Sequence, residues 1–191
     1  MALKVCEGQQ LDMNYEKLPK VLIPDYLKMI ELKTSVLLGG SLKMGAVLAN
    51  ADEKDAQNLF EFGKHIGLAF QLQDDILDVY ADASKFGKQI GGDIISNKKT
   101  FLLLKAIEMA EGNRYLKEEL QAWLNAPQFD SKEKVDAVTS IYNFLNIREI
   151  ARNEMKNHYN IALTFLNKIS ASETKKAELI AFADSLMVRE V

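Results

Sequence analysis

The stretch from Glu53 to about Ala81 is the strongest constraint on what this chain can fold into. It contains no proline and two glycines, which predicts one helix of about seven or eight turns. Asp52 is a suitable N-cap. Apolar residues cover most of the circumference of this helix, at Phe62, Ile66, Ala69, Phe70, Leu72, Ile76, Leu77, Val79 and Tyr80. The helix is therefore expected to lie buried among neighbouring elements.

The rest of the chain also favours helices. It has three prolines in 191 residues and no run of strict apolar and polar alternation, so no strand is predicted. One helix is expected from Pro24 to about Leu38, broken at Gly39 and Gly40 before a shorter helix that ends near Asn50; another is expected from about Asn97 to Glu111. We predict a single all-α domain over residues 1–191.

Composition excludes several classes of protein. Hydrophobic residues make up 48% and charged residues 27%, as in an ordinary folded domain, and the single Cys6 cannot form an internal disulfide. A net charge of −3 without a basic run argues against nucleic-acid binding. The most apolar window, Thr34 to Ala51, contains Lys43 and adjacent glycines, so no membrane span is expected. The N-terminus does not resemble a secretory signal, and a cytoplasmic location is predicted.

One stripe of the long helix is polar although the helix is otherwise apolar. At 100° per residue this stripe collects Lys64, Gly67, Gln71, Asp74, Asp75, Asp78 and Asp82. A polar stripe on a buried helix is expected to face a cavity, and three crowded carboxylates need a counter-ion. Hard oxygen ligands at this spacing suit Mg²⁺ bridging to phosphate, with Asp74, Asp75 and Asp78 as its ligands. The alternative is a solvated acidic face.

The charge reverses after this helix. Residues 52–82 contain eight acids and two lysines, whereas residues 83–105 contain five lysines and one acid, Asp93. Lys98 and Lys99 are expected in the first turn of the next helix, where cations are unfavourable unless an anion is bound. With Lys85 and Lys88 they predict an anion clamp; a flexible basic surface loop is the alternative.

Lys33 is a separate signal, because it shares a helix face with Tyr26, Met29, Ile30 and Leu37. A lysine among apolar neighbours needs a partner. It can extend to solvent or approach a phosphate. His65 and His158 are isolated in the sequence and are given no role.

Together these motifs resemble the second half of the trans-type isoprenyl diphosphate synthases, which include farnesyl and geranylgeranyl diphosphate synthases. The matching segments follow in the same order and approximate spacing along the chain, as GQQLD, Lys33-Thr34, GLAFQLQDDILD and FGKQIGGDIISNKKT. The resemblance covers essentially the whole chain. It implies an isoprenoid synthase fold, in which mostly antiparallel helices surround a central cavity.

The resemblance also implies an activity. Mg²⁺, or Mn²⁺ in its place, held by two aspartate-rich motifs ionises an allylic diphosphate, and isopentenyl diphosphate attacks the resulting cation. Metals and lysines stabilise charge on the departing diphosphate, and apolar walls exclude water. A homodimer is implied for a full-length enzyme.

Family roles can be transferred residue by residue. Asp74, Asp75 and Asp78 match the second aspartate-rich motif. The resemblance implies that Lys33, Lys88 and Lys98 contact the allylic diphosphate. It also implies that Gln9, Asp12, Thr34 and Gln71 are cavity residues, with Phe70 close to the reacting chains. Among these, the catalytic assignment goes to Lys33, Thr34, Gln71 and Asp74.

One part of the family pattern is absent. A first Asp-Asp-x-x-Asp motif and an arginine pair are expected upstream of Gly8, and the adjacent aspartates of this chain are Asp74 and Asp75. We therefore expect a chain that lacks the N-terminal helices of the fold and has no condensation activity alone. Alternatives are a non-catalytic helical subunit that binds or regulates a full-length partner, a terpene cyclase and a simple helical interaction protein. The lysine loop fits the cyclases less well than the synthases.

Overall fold

A computed structural model describes residues 1–81 and 90–187, and all regular structure within those ranges is helical. The prediction of an all-α fold is confirmed. Ten α-helices and one π-helical segment are present in the described ranges: α1 (Ala2–Lys17), α2 (Ile23–Ile30), the π segment (Glu31–Ser35), α3 (Val36–Leu48), α4 (Glu53–Tyr80), α5 (Gly92–Ile95), α6 (Phe101–Ala110), α7 (Arg114–Asn125), α8 (Ser131–Phe144), α9 (Ile147–Leu166) and α10 (Glu173–Met187).

The predicted long helix is α4, which spans 28 residues and is therefore about 42 Å long. Asp52 is its N-cap as predicted, and the Asp52 carboxylate accepts a hydrogen bond from the Asp55 amide at 2.7 Å. The helix packs most extensively on α9 and α3. Since α4 contacts most of the other helices, it is the central element of the fold.

The segment from Ile23 to Leu48 is helical throughout, and the predicted break at Gly39 and Gly40 is wrong. Gly39 is used for close packing instead. A Cβ built on Gly39 would lie 2.5 Å from the Phe60 carbonyl oxygen, and one on Gly63 would lie 2.8 Å from the Gly39 Cα. Two facing glycines thus bring α3 and α4 closer than side chains would permit.

The interruption of this helix comes earlier, at the π segment. There the amide of Val36 donates to the carbonyl of Glu31, five residues back, so the backbone turn is wider than in an α-helix. This segment contains Lys33 and Thr34, two of the predicted site residues. Periodicity alone gave no sign of the extra residue in this turn.

The start of α6 also differs from the prediction. The helix begins at Phe101, with the Thr100 hydroxyl accepting from the amide of Leu103. Lys98 and Lys99 therefore precede the helix and do not occupy its first turn. Before them comes the one-turn helix α5, which is entered at Gly91. Lys85, Lys88 and Asp82 lie outside the described residues.

The apolar interior divides into two clusters along α4. The larger one joins the C-terminal half of α4, from Leu68 onward, to α2, α6, α7, α8 and the first half of α9. The smaller one joins Phe62 and Ile66 to the end of α9 and to α10. The α4 helix thus serves as a common wall for both.

His65 and His158 are not isolated once the chain is folded. Their Nδ1 atoms are 3.0 Å apart between α4 and α9, and the ring of Phe165 stacks on His65. Burial, followed by the proximity of His158, lowers the pKa of His65 to about 4. Burial also lowers the pKa of His158. Both rings are therefore neutral at pH 7 and form part of the packing between the two helices.

Candidate functional site

Side chains from α1, α2, the π segment, α4 and the residues before α6 meet around one small cavity. Its volume is about 30 Å³, enough for a water molecule or two. It is lined by Asp12, Tyr26, Met29, Ile30, Lys33, Gln71, Asp75, Lys98 and Lys99. Five residues selected from the sequence, Asp12, Lys33, Gln71, Asp75 and Lys98, are thus brought together from four separate segments of the chain.

The π segment positions Lys33 and Thr34. Lys33 Nζ forms an ion pair with Asp12 Oδ2 at 2.6 Å, which supplies the partner that a lysine on an apolar face requires. The Thr34 hydroxyl donates to Gln71 Oε1 at 3.2 Å. Behind the ion pair, Gly8 lies directly against the backbone of Lys33. These contacts link α1 and α4 to the widened turn.

Of the three aspartates on the predicted stripe, Asp75 lines the small cavity, whereas Asp74 is exposed and Asp78 is half-buried. Asp75 is 4% exposed, and its Oδ2 accepts from the Tyr26 hydroxyl at 2.6 Å and from the Phe101 amide at 3.0 Å. Burial raises the pKa of Asp75 to about 7 although both hydrogen bonds lower it. This carboxylate connects α2, α4 and α6.

Asp78 belongs to a second polar group near the C-terminus of α4. Its Oδ2 accepts from the Asp93 amide at 3.0 Å, and Asp93 Oδ1 lies 3.0 Å from Lys98 Nζ. Burial, and then the nearby Asp93 carboxylate, raises the pKa of Asp78. Burial alone would lower the pKa of Lys98, but Asp93 reverses the direction and raises it. Two acids and one base are therefore held close together.

Asp74 is exposed at this end of α4. Its carboxylate and the remaining oxygen of Asp78 are hard donors of the kind that suits a divalent cation keeping several waters. The donor set fits such an ion through Asp74 and Asp78, whereas the buried Asp75 does not favour a ligand role. Within residues 1–81 and 90–187, no three His, Cys, Asp or Glu side chains are grouped closely enough to hold a metal by themselves.

The other predicted residues are more dispersed. Phe70 and Thr34 line a separate apolar groove of about 330 Å³, together with Leu37, Leu38, Ser41, Gly67, Phe182 and Leu186. Gln9 is exposed on α1. Lys88 lies outside the described residues. The groove begins beside the hydrogen bond between Thr34 and Gln71, so an apolar surface adjoins the polar site.

Sequence reasoning left two residues of this site without a role. Asp93 links Asp78 to Lys98, and Tyr26 holds Asp75. Lys99, predicted as part of the anion clamp, lines the cavity. Asp93 could have been noticed as the one acid in the basic stretch of residues 83–105. Tyr26 gave no comparable signal, because its partner is 49 positions away.

Comparison with solved structures identifies the architecture as that of the isoprenoid synthases. A crystal structure of a geranylgeranyl pyrophosphate synthase superposes on the whole chain with a TM-score of 0.91 at 38% identity. The polyprenyl synthetase of Streptomyces coelicolor A3(2) superposes over 97% of the chain with a TM-score of 0.88 at 30% identity. The predicted fold class is thereby confirmed.

The family follows from sequence comparison. Residues 1–143 match the polyprenyl synthetase family model, and the chain belongs to that family. The short chain isoprenyl diphosphate synthase of Methanothermobacter thermautotrophicus is 34% identical over 98% of the chain. The geranylgeranyl diphosphate synthase of Sulfolobus acidocaldarius is 31% identical over 97% of it.

The chain spans little more than half the length of these relatives. The matched part covers 56% of the Methanothermobacter protein and 55% of the Sulfolobus protein, and 58% of the geranylgeranyl pyrophosphate synthase structure. In the described part of the chain, every helix is too short or too polar to cross a membrane.

Proposed function

We propose that this chain supplies the diphosphate-binding part of a trans-prenyltransferase. In the proposed reaction, C4 of isopentenyl diphosphate bonds to C1 of an allylic diphosphate, inorganic diphosphate leaves and a proton is lost. The observation that carries the proposal is the meeting of Asp78, Asp93 and Lys98 at one end of α4, with the exposed Asp74 one turn before Asp78, in a member of the polyprenyl synthetase family.

The lysines are proposed to hold the diphosphate. Lys98 is preorganised by Asp93 at 3.0 Å, and Lys33 by Asp12 at 2.6 Å, so neither ammonium has to be ordered when an anion arrives. Lys88 is proposed as a third contact. Their charge opposes the negative charge that develops on the leaving group.

Asp74 and Asp78 are proposed to hold Mg²⁺, or Mn²⁺ in its place. When bound, such an ion neutralises charge on the diphosphate and thereby assists its departure. Asp74 is open to solvent, whereas Asp78 is held by the Asp93 amide. One ligand is therefore fixed while the other is free to adjust.

Thr34, Gln71 and Phe70 are proposed to face the reacting chains. The hydroxyl of Thr34 and the amide of Gln71 orient each other at 3.2 Å, and Phe70 contributes an apolar surface that excludes water. Gln9, near Asp12 on α1, completes the proposed cavity residues.

Calorimetric titration with inorganic diphosphate, with and without Mg²⁺, tests the binding proposal. We expect Mg²⁺-dependent binding that Asp74→Asn and Lys98→Met each weaken at least tenfold. Lys156→Met, which removes an exposed lysine on α9, is the matched control and leaves the affinity unchanged. Equal binding by all three variants would overturn the assignment of this site.

Catalysis by the chain alone requires a separate assay. We propose that it does not condense the two substrates by itself, because its sequence has one Asp-Asp-x-x-Asp motif where the family resemblance implies two. Incubation with radiolabelled isopentenyl diphosphate, an allylic diphosphate and Mg²⁺ should yield no longer product. Chain extension above the level given by Asp74→Asn would contradict this.

A second candidate is a non-catalytic helical subunit that binds a full-length relative. One side of α3 favours it, because Leu37, Met44 and Leu48 are 49%, 52% and 80% exposed, and such apolar rows often mark interfaces. Sedimentation of the chain alone and mixed with a full-length homologue separates this subunit from the homodimer expected of a full-length enzyme. Leu48→Glu should abolish either association.

A further inference from the structure

We propose that Lys134 is a positioning residue, which holds the turn before α6 so that Lys98 pairs with Asp93 beside Asp78. The inference rests on the proposed function, because that function gives Lys98 and Asp78 their roles. Lys134 itself lies on α8 and is not among the residues that line the cavity around Lys33. It acts through Asn97.

Lys134 is fully buried, with 0% of its surface exposed. Its Nζ donates to Asn97 Oδ1 at 2.7 Å and to the Ile95 carbonyl at 3.2 Å, and it lies 4.1 Å from the ring centroid of Phe129. Among the described residues no carboxylate forms an ion pair with it. Removing an ammonium from water is costly. The hydrogen bonds from Lys134 to two neutral oxygens offset that cost only when the turn is held in this position, so Lys134 and the turn fix each other.

Asn97 transmits this contact to the turn. Its backbone is left-handed, with φ of 54°, and its side-chain Nδ2 donates to the carbonyl of Leu124 at 3.0 Å. Both ends of the amide are therefore engaged, the oxygen by Lys134 and the nitrogen by α7. Since a left-handed conformation is unfavourable for most residues, these bonds help to fix the turn.

Lys98 is the next residue in the chain, so the backbone conformation of Asn97 determines the position and direction of the Lys98 backbone. The Lys98 amide donates to the Asp93 carbonyl at 2.9 Å, and its Nζ reaches the Asp93 carboxylate at 3.0 Å. A turn that lost the contact with Lys134 would free the backbone on which both bonds depend.

The adjacent residue of α8 holds the other end of α5. Gly91 has φ of 77°, and a Cβ there would lie 2.6 Å from a methyl carbon of Val135. The Gly91 amide donates to the Asp78 carbonyl at 2.7 Å. Lys134 and Val135 therefore contact the two ends of the short helix that carries Asp93, and α8 fixes this helix against α4.

Two variants test the inference. Lys134→Met keeps the length of the side chain but removes the ammonium, and Asn97→Gly keeps the left-handed backbone while removing the amide. We expect each to weaken Mg²⁺-dependent binding of inorganic diphosphate about tenfold. The double variant should be no weaker than either single variant, because both break the same connection.

Amide hydrogen exchange supplies a readout that does not depend on binding. Both variants should accelerate exchange at Lys98 and Thr100 at least tenfold, while exchange in α9 stays unchanged. Lys132→Met, on the exposed side of α8, is the matched control and should match the unmodified chain in both measurements. Lys134→Arg should restore most of the protection.

The outcomes distinguish the two proposals. If the unmodified chain does not bind diphosphate, the proposed function fails, and faster exchange at Lys98 in Lys134→Met still supports the positioning role. If Lys134→Met does not fold, Asn97→Gly carries the test alone. Unchanged exchange at Lys98 and Thr100 in a folded variant overturns the inference.

Discussion

The two ends of α4 each bury a carboxylate, and the partners of the two carboxylates differ. Asp55, near the N-terminus, is 7% exposed and accepts from the amide and hydroxyl of Ser170. Asp75, near the C-terminus, is 4% exposed and accepts from Tyr26 and Phe101. Among the described residues, the Asp55 carboxylate accepts hydrogen bonds from one residue, Ser170, whereas the Asp75 carboxylate joins two separate helices to α4.

The difference shows how one helix serves both packing and the candidate site. At the N-terminal end, the negative charge of Asp55 is compatible with the helix dipole. Asp55 also holds the loop between α9 and α10 through its hydrogen bonds with Ser170. At the C-terminal end the dipole opposes negative charge, and Asp75 has Asp74 and Asp78 as near neighbours. Asp75 is buried, whereas Asp74 is exposed and Asp78 is half-buried. The aspartate that stabilises this end is therefore not one of the two that are proposed to hold the metal ion.

Replacing Asp75 should have the largest effect on stability. Asp75→Ala leaves the hydroxyl of Tyr26 and the amide of Phe101 buried without a partner, and we expect a loss of about 3–5 kcal/mol in the free energy of unfolding. Urea denaturation measures it. Tyr26→Phe, which removes one donor and leaves the other bond intact, should lose about 1–2 kcal/mol. Equal losses in the two variants would show that Asp75 does not join both helices.

The corresponding change at the other end should cost less. Asp55→Ala leaves one backbone amide and one hydroxyl of Ser170 unpaired next to a loop that can admit water, so we expect a loss of about 2–3 kcal/mol. The same urea titration gives the comparison. Ser170→Ala serves as the control, since it removes the hydroxyl bond and keeps the amide bond. A loss larger than that of Asp75→Ala would reverse the ranking of the two ends.

The imidazole pair beside the smaller cluster predicts a pH dependence. The pKa of His65 is about 4 in the folded chain, below about 6.5 in an unfolded one, so the unfolded state binds more protons between these values. The free energy of unfolding should be highest above pH 6.5 and should fall by about 1–2 kcal/mol towards pH 4. This loss is smaller than the full pKa difference would give, because the His65 ring is partly hydrated.

Thermal unfolding across that pH range measures this loss. In His65→Gln the unfolding temperature should depend less on pH between 6.5 and 4. Asp74→Asn leaves His65 and His158 unchanged and should keep the pH dependence of the unmodified chain. A curve for His65→Gln parallel to that of the unmodified chain would assign the acid sensitivity to other groups.

Asp74 should have the smallest effect on stability. Asp74→Asn removes a charge from an exposed position that neighbours other acids, so the free energy of unfolding should change by no more than about 0.5 kcal/mol. Measured beside Asp75→Ala, it isolates the contrast between adjacent aspartates. A loss above about 1 kcal/mol would mean that Asp74 has a packing role.

Local pattern was sufficient to predict α4. Absence of proline, an aspartate at the N-cap and apolar residues around the circumference are properties of one continuous segment, and the helix observed at Glu53–Tyr80 follows them closely. The family resemblance likewise rests on short segments that can be read in order. These features need no knowledge of what packs against them.

Contacts between distant segments could not be predicted in the same way. Helical phase places Asp75 beside Asp74 and Asp78, but only the positions of Tyr26 and Phe101 decide that Asp75 is buried. His65 and His158 are 93 positions apart. At Gly39 the helix continues because Gly39 faces Gly63, so that α3 and α4 can pack closely. The packing between the two helices outweighs the local cost of a glycine within a helix.

The π segment at Glu31–Ser35 determines the rotation of α3 about its own axis, because α3 continues directly from it. Removing one residue there would restore ordinary α-helical winding, rotate α3 by about 100° about its axis and shift it by about 1.5 Å. Gly39 would then no longer face Gly63, although Lys33 would keep its place relative to α2. Because of the extra residue, one continuous helical segment can direct Lys33 towards the candidate site and also direct Gly39 towards α4.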